Sequence, residues 1–363
     1  MTKQVSQPGI DYSVVISPNL MQELPARFAK RYPDTHAVLL TDNRVWDLYG
    51  SKLAEGLIGC GVEVDDIIIP EGEASKSLDV YSGVIEELHH HRFDEDSVLI
   101  NLGGGVVTDL GGFVAASYRE GVRSVLVPTT LVGQQEAAFS TRVGINTDWS
   151  KNFIGSPRRP DVVYSDPTVL GSLRRRDLAS GLAATLKIAM AHDFELFELL
   201  EFNVVDILDL HDANALHELV LRASAARLRS EPYEGRGLGI AFAHALESTS
   251  RYSGVLHGEA IAWGIAIATA VSGLRRLMKA DAIDRVFSLM AACELPPELP
   301  SHVLQSAVDA MDLGPTGQLV LPVTIGKVTS AVTATAADVH AAVEIVRHHP
   351  AFSDIRPDYR SAA

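Results

Sequence analysis

The sequence has few cysteines, no long apolar run and a deficit of positive charge. Its 363 residues include only Cys60 and Cys293, too few for a disulfide framework and not part of a metal-binding CxxC pair. No run of 18 apolar residues occurs, and the first residues lack the hydrophobic stretch of a signal peptide. We therefore expect a protein of the cytoplasm.

Acidic residues outnumber basic ones. Lys and Arg total 31 against 46 Asp and Glu, which gives a formal net charge of −15. Through its overall field such a chain repels nucleic acids and anionic membranes. The expected partners are therefore small molecules, with no nucleic acid and no membrane.

The first half of the chain alternates strand-like and helix-like segments. Short apolar runs of this kind are typical of strands buried in parallel sheets. The predicted strands are Tyr12–Ile16, Ala37–Thr41, Asp66–Ile69, Ser97–Asn101 and Val122–Pro128, with helices over Leu20–Arg31, Leu48–Gly59 and Val80–His90 between them. The alternation predicts a doubly wound, Rossmann-like parallel α/β sheet.

The second half is rich in Ala and Leu and lacks strand alternation. It predicts helices over Arg174–Phe202, His211–Ser230, Gly239–Thr249, His257–Lys279, Ala282–Ala292 and His302–Met311, and a hairpin of Leu319–Val323 with Lys327–Val332. Asp166, Pro167 and Gly171 interrupt the pattern between the halves. We predict two domains, a Rossmann-like domain over residues 1–170 and a mainly α-helical domain over 171–363.

The strongest local signal is the run Asn101–Phe113, NLGGGVVTDLGGF. A predicted strand leads into three glycines, which let a ligand approach the backbone, and the next helix offers its N-terminal N–H groups to a pyrophosphate. The run is not the usual GxGxxG, and a tight turn with its glycines packed on the sheet is the alternative. Asp109 is expected in the first turn of the helix, where it could cap the helix or bind a ligand hydroxyl.

Other polar residues follow predicted strands on the same edge. Asp42 follows AVLLT, Thr129 and Thr130 follow VLVP, and Glu73 and Lys76 lie in the loop PEGEASKS. In open α/β sheets ligands bind beyond the carboxyl ends of the strands. Together these residues predict a nucleotide site.

The order of motifs PEGEASKSL, NLGGGVVTDLGGFVAASY, VPTTLVGQ, KNFIG, GLAATLK, AHALE and LHGEAIAWG resembles 3-dehydroquinate synthase and the related sugar phosphate cyclases. The resemblance implies NAD in the N-terminal domain, and substrate with a divalent metal, usually zinc, against a helical C-terminal domain. The residues that it assigns to NAD are Asp42, Glu73, Lys76, Gly104, Gly105, Asp109, Thr129, Thr130 and Lys151, while Asn152 would contact substrate.

The metal positions of that family are altered. The family's metal-binding glutamate is Ala184 here and one metal-binding histidine is Ile240, so His257 is the single retained ligand position. A zinc site needs about three protein ligands. We therefore do not expect zinc, although Glu247 or Glu259 could regroup with His257.

Positions that the resemblance assigns to catalysis and substrate are altered in part. His244 matches the catalytic histidine, and Lys187 lies three residues after Ala184 on one helix face. Lys187, His244 and Glu136 are the expected acid/base groups. The substrate-binding residues would be Arg142, Asn152, Lys187 and His257, while two basic phosphate positions appear as Glu120, beside Arg119, and Gln318.

These departures favour an NAD-dependent, sugar phosphate cyclase-like carbon–oxygen lyase of altered substrate in secondary metabolism, rather than an orthodox 3-dehydroquinate synthase. A metal-free NAD-dependent polyol oxidoreductase or epimerase, or a non-catalytic paralogue, is the alternative. The resemblance also implies a homodimer.

Overall fold

A computed structural model describes residues 3–5, 12–147, 151–229, 237–250, 254–311 and 317–353. The chain divides into two compact units, residues 1–173 and residues 174–363.

The first unit contains a seven-stranded sheet. Its strands lie in the order β1-β2-β9-β6-β5-β3-β4, and all neighbours are parallel except the antiparallel pair β1 and β2. Two further strands, β7 and β8, form a separate antiparallel hairpin. The bounds are β1 Lys3–Val5, β2 Ser13–Ile16, β3 His36–Asp42, β4 Glu63–Ile69, β5 Val98–Gly103, β6 Arg123–Pro128, β7 Arg142–Ile145, β8 Ile154–Pro157 and β9 Val162–Ser165.

Helices cover both faces of this sheet and build two hydrophobic cores. Leu39 of β3 belongs to one core, with Phe28 of the first helix, while Val38 and Leu40 belong to the other. The helices are α1 Leu20–Arg31, α2 Asn43–Val45, α3 Ser51–Gly59, α4 Leu78–His90, α5 Gly105–Ser117 and α6 Leu131–Gln135. Burial on both faces explains why the strands are continuous apolar runs, and the predicted fold class is confirmed.

The second unit is mainly helical. Its helices are α7 Arg175–His192, α8 Phe194–Leu208, α9 Ala213–Arg229, α10 Ile240–Thr249, α11 His257–Leu274, α12 Ala280–Ala292, α13 Ser301–Ala310 and α14 Ala336–His348. The strands β10, Gln318–Thr324, and β11, Lys327–Thr333, form the predicted hairpin. Its turn contains Gly326, whose φ of 83° is a left-handed conformation that suits glycine.

Three helices of this unit approach one another through glycines. A Cβ added at Gly258 of α11 would lie 1.8 Å from the carbonyl oxygen of Ser180 in α7. A Cβ at Gly239, which precedes α10, would lie 2.7 Å from the backbone nitrogen of Ile265 in α11. Close packing at these points therefore requires glycine.

Several element boundaries differ from the sequence prediction. The helix predicted over Arg174–Phe202 is two helices, because the Asp193 side chain accepts a hydrogen bond of 2.9 Å from the Leu196 N–H and caps α8. The helix predicted to reach Lys279 ends at Leu274, and the strands β1, β7, β8 and β9 and the helix α14 were not predicted. Among the described residues, no helix combines the length and hydropathy needed to cross a membrane.

Candidate functional site

The carboxyl ends of the central strands lie level at one edge of the sheet. In the ladders Thr41 pairs with Leu102, and Gly103 pairs with Pro128. The N–H of Thr129 donates to the carbonyl of Gly103 over 2.9 Å. Asp42, the glycine turn and Thr129 therefore sit side by side, as the sequence predicts.

The glycine turn leads directly into α5. Gly104 is the N-cap residue in an extended conformation, and a Cβ there would lie 3.0 Å from Cγ2 of Thr130. A Cβ at Gly105 would meet no atom within 4 Å, so the space beside it is open. The first N–H groups of α5 have no partner within the helix and carry its positive dipole end. This arrangement suits an anionic ligand such as a pyrophosphate.

Glycines further along α5 serve packing. A Cβ at Gly111 would lie 1.7 Å from Oδ1 of Asn101 in the sheet, and one at Gly112 would lie 2.5 Å from Cγ1 of Val143 in β7. Gly111 therefore packs on the large sheet, and Gly112 packs on the hairpin.

Asp109 is not in the first turn of α5, as the sequence analysis expected, but in the second. The helix begins at Gly105, and its first turn contains no acidic residue. The Asp109 carboxylate accepts a hydrogen bond of 2.7 Å from the Lys76 ammonium, which is 2% exposed. Asp109 therefore pairs with a buried cation instead of capping the helix.

A second carboxylate extends this pair into a network. Oε1 of Glu73 lies 3.9 Å from Nζ of Lys76 and 3.6 Å from Nζ of Lys151. Two lysines and two carboxylates thus meet beside the glycine turn, so their formal charges balance. Four of the residues assigned to NAD are brought together here.

Asp42 and Thr130 both cap short helices in the same region. The Asp42 carboxylate accepts a hydrogen bond of 2.9 Å from the Val45 N–H, and burial raises the pKa of this carboxyl. The Thr130 hydroxyl accepts a hydrogen bond of 3.0 Å from the Gly133 N–H. Each side chain therefore has a local structural role as well as the predicted role in binding.

The hairpin region carries the remaining predicted residues of the first unit. Glu136 follows α6 and is half-buried, while Arg142 at the start of β7 and Asn152 before β8 are exposed. Sequence reasoning missed Asn146, whose amide donates a hydrogen bond of 2.7 Å to Oε1 of Glu73. Asn146 ends the run GQQEAAFSTRVGIN, which also contains Glu136 and Arg142, and this position is the sequence signal that could have found it.

The two positions at which the family has basic, phosphate-binding residues lie in exposed segments of the chain. Arg119 and Glu120 are both exposed and have positive φ angles of 45° and 68° in the turn after α5. Gln318 is exposed at the start of β10, in the second unit.

In the second unit, Lys187 of α7 is half-buried and His244 of α10 is exposed. Nδ1 of His257 lies 2.8 Å from Oε1 of Glu247, a carboxylate that is 3% exposed. This contact fixes the imidazole, with Nε2 as its other polar atom. Of the two carboxylates considered for His257, the structure brings Glu247 to it.

Glu259 has other partners. Its carboxylate accepts two hydrogen bonds from the Arg176 guanidinium, of 2.6 and 2.9 Å, and another of 2.8 Å from the Leu256 N–H at the start of α11. It therefore stabilises the N-terminus of α11.

The donor set at the family's metal positions does not fit a zinc ion. Ala184 is 2% exposed with no donor atom, and Ile240 has an apolar side chain. In the part of the chain that the structure describes, no group of three or more His, Cys, Asp or Glu side chains could hold a metal ion. His257 with Glu247 supplies two donors at most, fewer than zinc needs.

Comparisons with known protein families identify the family of this chain. The model of the 3-dehydroquinate synthase N-terminal domain matches residues 66–180, and that of the C-terminal domain matches residues 181–313. The chain belongs to the 3-dehydroquinate synthase family.

Curated relatives of this family cover most of the chain. The 3-dehydroquinate synthase of Thermoanaerobacter pseudethanolicus is 31% identical over 309 residues, which are 83% of this chain and 87% of that protein. The 3-dehydroquinate synthase of Teredinibacter turnerae is 34% identical over 303 residues, 82% of this chain and 83% of that protein.

Solved structures of sugar phosphate cyclases share the fold. ValA, the 2-epi-5-epi-valiolone synthase of Streptomyces hygroscopicus subsp. jinggangensis, has NAD+ and Zn2+ bound. It aligns with a TM-score of 0.85 and 26% identity, covering 94% of this chain and 98% of ValA. A 2-deoxy-scyllo-inosose synthase complexed with NAD+ and Co2+ aligns with a TM-score of 0.79 and 18% identity, covering 96% and 99%.

These relatives correct the expectation of an altered substrate in secondary metabolism. Six curated relatives, 30–34% identical over 82–87% of this chain, are named 3-dehydroquinate synthase, which points to the orthodox enzyme. The altered family positions, which are Glu120, Ala184, Ile240 and Gln318, do not by themselves define a different substrate. All groups that contact the transition state contribute to substrate selectivity. The two similar solved structures contain Zn2+ and Co2+. They therefore give no support to the expectation that zinc is absent from this chain.

Proposed function

We propose that this chain is an NAD-dependent, lyase-type cyclase that catalyses the 3-dehydroquinate synthase reaction. The observation that carries the proposal is the Lys76–Asp109 pair, 2.7 Å across, beside an open glycine turn. It is supported by the relatives of that name, which match more than four fifths of the chain.

NAD would bind at the carboxyl edge of the sheet in the first unit. The N–H groups of Gly105 and the following residues would donate to its pyrophosphate. Asp42 would accept a hydrogen bond from a ribose hydroxyl, and the hydroxyls of Thr129 and Thr130 would contact the same ligand. The NAD+ bound to ValA supports this proposal.

When bound, NAD accepts a hydride from a secondary alcohol and returns it later in the cycle. This chain would supply acid/base groups and substrate contacts. Glu136, Lys187 and His244 would move protons to and from substrate oxygens and carbon. Arg142, Asn152, Lys187 and His257 would orient the substrate. The resemblance assigns these roles to these positions, where Glu136 replaces the family's aspartate and Arg142 its lysine.

We also propose that the three family metal positions of this chain hold no tightly bound zinc. The apolar side chains of Ala184 and Ile240 support this, since neither can ligate any metal. The proton transfers assigned to Glu136, Lys187 and His244 therefore do not depend on an ion at these positions.

The test is formation of 3-dehydroquinate by the purified chain, given NAD and the substrate of 3-dehydroquinate synthase. His244→Gln should lower kcat by about 10²–10⁴-fold, the usual contribution of an acid/base group. His348→Gln, at an exposed histidine of α14, is the matched control and should keep the wild-type rate.

Complementation of a strain that lacks 3-dehydroquinate synthase gives an independent readout. Growth with the wild-type gene and not with His244→Gln is the expected result. A purified chain that binds NAD but forms no 3-dehydroquinate would overturn the proposed reaction.

A location in the cytoplasm and a homodimeric state stay proposals for this family member. Fractionation of cells that express the chain would test the location. Sedimentation of the purified chain would give its mass relative to the 39.1 kDa of one copy.

A further inference from the structure

Asn146 connects two loops of the first unit with three hydrogen bonds. Its backbone N–H donates to the Lys76 carbonyl over 2.7 Å, and its side-chain amide donates to Oε1 of Glu73 over 2.7 Å. Its Oδ1 accepts a hydrogen bond of 2.9 Å from the Asn152 N–H. One residue thus touches the loop that carries Glu73 and Lys76 and the turn that carries Lys151 and Asn152.

The hairpin of β7 and β8 determines the position of Asn146. Gly144 of β7 faces Gly155 of β8, and a Cβ at either glycine would lie 2.7 Å from the backbone of the opposite strand. Asn146 directly follows β7, and Asn152 lies two residues before β8 with a positive φ of 52°. The close strands therefore bring the two asparagines to the same end of the hairpin.

The amide is the group that this position requires. Its NH₂ donates to the Glu73 carboxylate while its oxygen accepts from the backbone, which an ionised carboxylate cannot do because it only accepts. By holding Oε1 of Glu73, Asn146 fixes the oxygen that lies 3.6 Å from Nζ of Lys151. The orientation of the carboxylate between the two lysines thus depends on a neutral side chain.

We propose that Asn146 is a positioning residue that couples the loop of Glu73 and Lys76 to the turn of Lys151 and Asn152. For its ligands this rests on the proposed function, in which the loop serves NAD and Asn152 serves substrate. In this role Asn146 acts through its neighbours. Because binding coupling is reciprocal, each ligand should then raise the affinity for the other.

Calorimetric NAD titration of Asn146→Asp tests the role in binding. The variant places a carboxylate against Glu73 and loses the donor, so we expect the Kd for NAD to rise about tenfold, or about 1.4 kcal/mol. Because Glu73 is itself assigned to NAD, rescue is judged against Glu73→Gln alone. Adding Asn146→Asp to that variant pairs a donor with an acceptor in exchanged roles, so it should raise the Kd by less than about threefold.

Asn203→Asp is the matched control. The Asn203 amide donates 2.7 Å to the Leu199 carbonyl in α8, so its loss removes a similar hydrogen bond in the second unit. It should leave the Kd for NAD unchanged. An equal Kd for Asn146→Asp and wild type, or a tenfold rise that persists when Asn146→Asp is added to Glu73→Gln, would overturn the proposal.

Hydrogen exchange tests the coupling without a ligand, and so separates it from the proposed function. Glu73→Ala should speed exchange of the Asn152 amide about tenfold, because Asn146 loses the contact that orients it. In Asn146→Ala the Asn152 amide should already exchange fast, and Glu73→Ala should add nothing. An Asn152 amide that is insensitive to Glu73→Ala would refute the coupling even if NAD does not bind.

Discussion

Replacing Lys76 by Met should destabilise the first unit strongly. The Lys76 ammonium is 2% exposed and lies 2.7 Å from the Asp109 carboxylate. Met keeps the apolar stem and removes the charge, which leaves Asp109 and Glu73 with Lys151 as the remaining cation of the network. The variant therefore tests the charge, with little change in side-chain volume.

The magnitude follows from the geometry. At 2.7 Å and an effective dielectric constant of 20, the Coulomb attraction is about 6 kcal/mol. Desolvation of both groups offsets much of it, and breaking a buried pair usually costs about 3–5 kcal/mol. Asp109 is 18% exposed and can be partly hydrated, so we expect about 3 kcal/mol. In a unit of this size that lowers Tm by about 6–12 °C.

Differential scanning calorimetry measures this effect. Lys52→Met, at an exposed lysine of α3, is the matched control and should shift Tm by less than about 2 °C. The double variant Lys76→Met, Asp109→Leu removes both charges and should recover most of the lost stability. A wild-type Tm for Lys76→Met would refute the pairing, and a double variant no more stable than Lys76→Met would refute the coupling.

Asp109→Ala should weaken NAD binding by about 1.5–3 kcal/mol in a calorimetric titration, through loss of a charge-assisted hydrogen bond. Equal affinities would remove Asp109 from the site. Elemental analysis should find wild-type zinc well below one ion per chain, whereas Ala184→Glu with Ile240→His restores the missing ligands and should gain one ion. Stoichiometric zinc in the wild type would contradict this. Ellman's reagent should modify the exposed Cys60 fast and Cys293 only after unfolding, because burial raises the pKa of the Cys293 thiol. Two fast thiols would contradict the burial of Cys293.

The sequence allowed the sheet and the glycine turn at its carboxyl edge to be predicted where the signal was local. Apolar runs at β3, β5 and β6 mark strands buried on both faces, and three glycines before a helix mark a turn at the strand end. Both signals lie within a few residues of the feature that they predict.

Contacts between distant residues could not be predicted. Asn146 and Glu73 are 73 residues apart, and their hydrogen bond depends on how the hairpin folds back.

Two local features were also predicted wrongly or missed. The sequence analysis placed Asp109 in the wrong turn of α5, because a glycine run leaves the first helical residue undefined by one or two positions. The strand β9 has only four residues, too few to show a periodic pattern.

The edge strand β4 has a consequence for self-association. Among the described strands it pairs only with β3, and both Glu63 and Asp66 are exposed on it. Antiparallel pairing of two copies centred on Asp66 would place this carboxylate opposite its own copy, and a register shifted by three residues would place it opposite Glu63. Like charges directly opposite each other are unfavourable, and charged edges discourage edge-to-edge aggregation. The charges of β4 therefore disfavour a homodimer of this chain that forms through this edge.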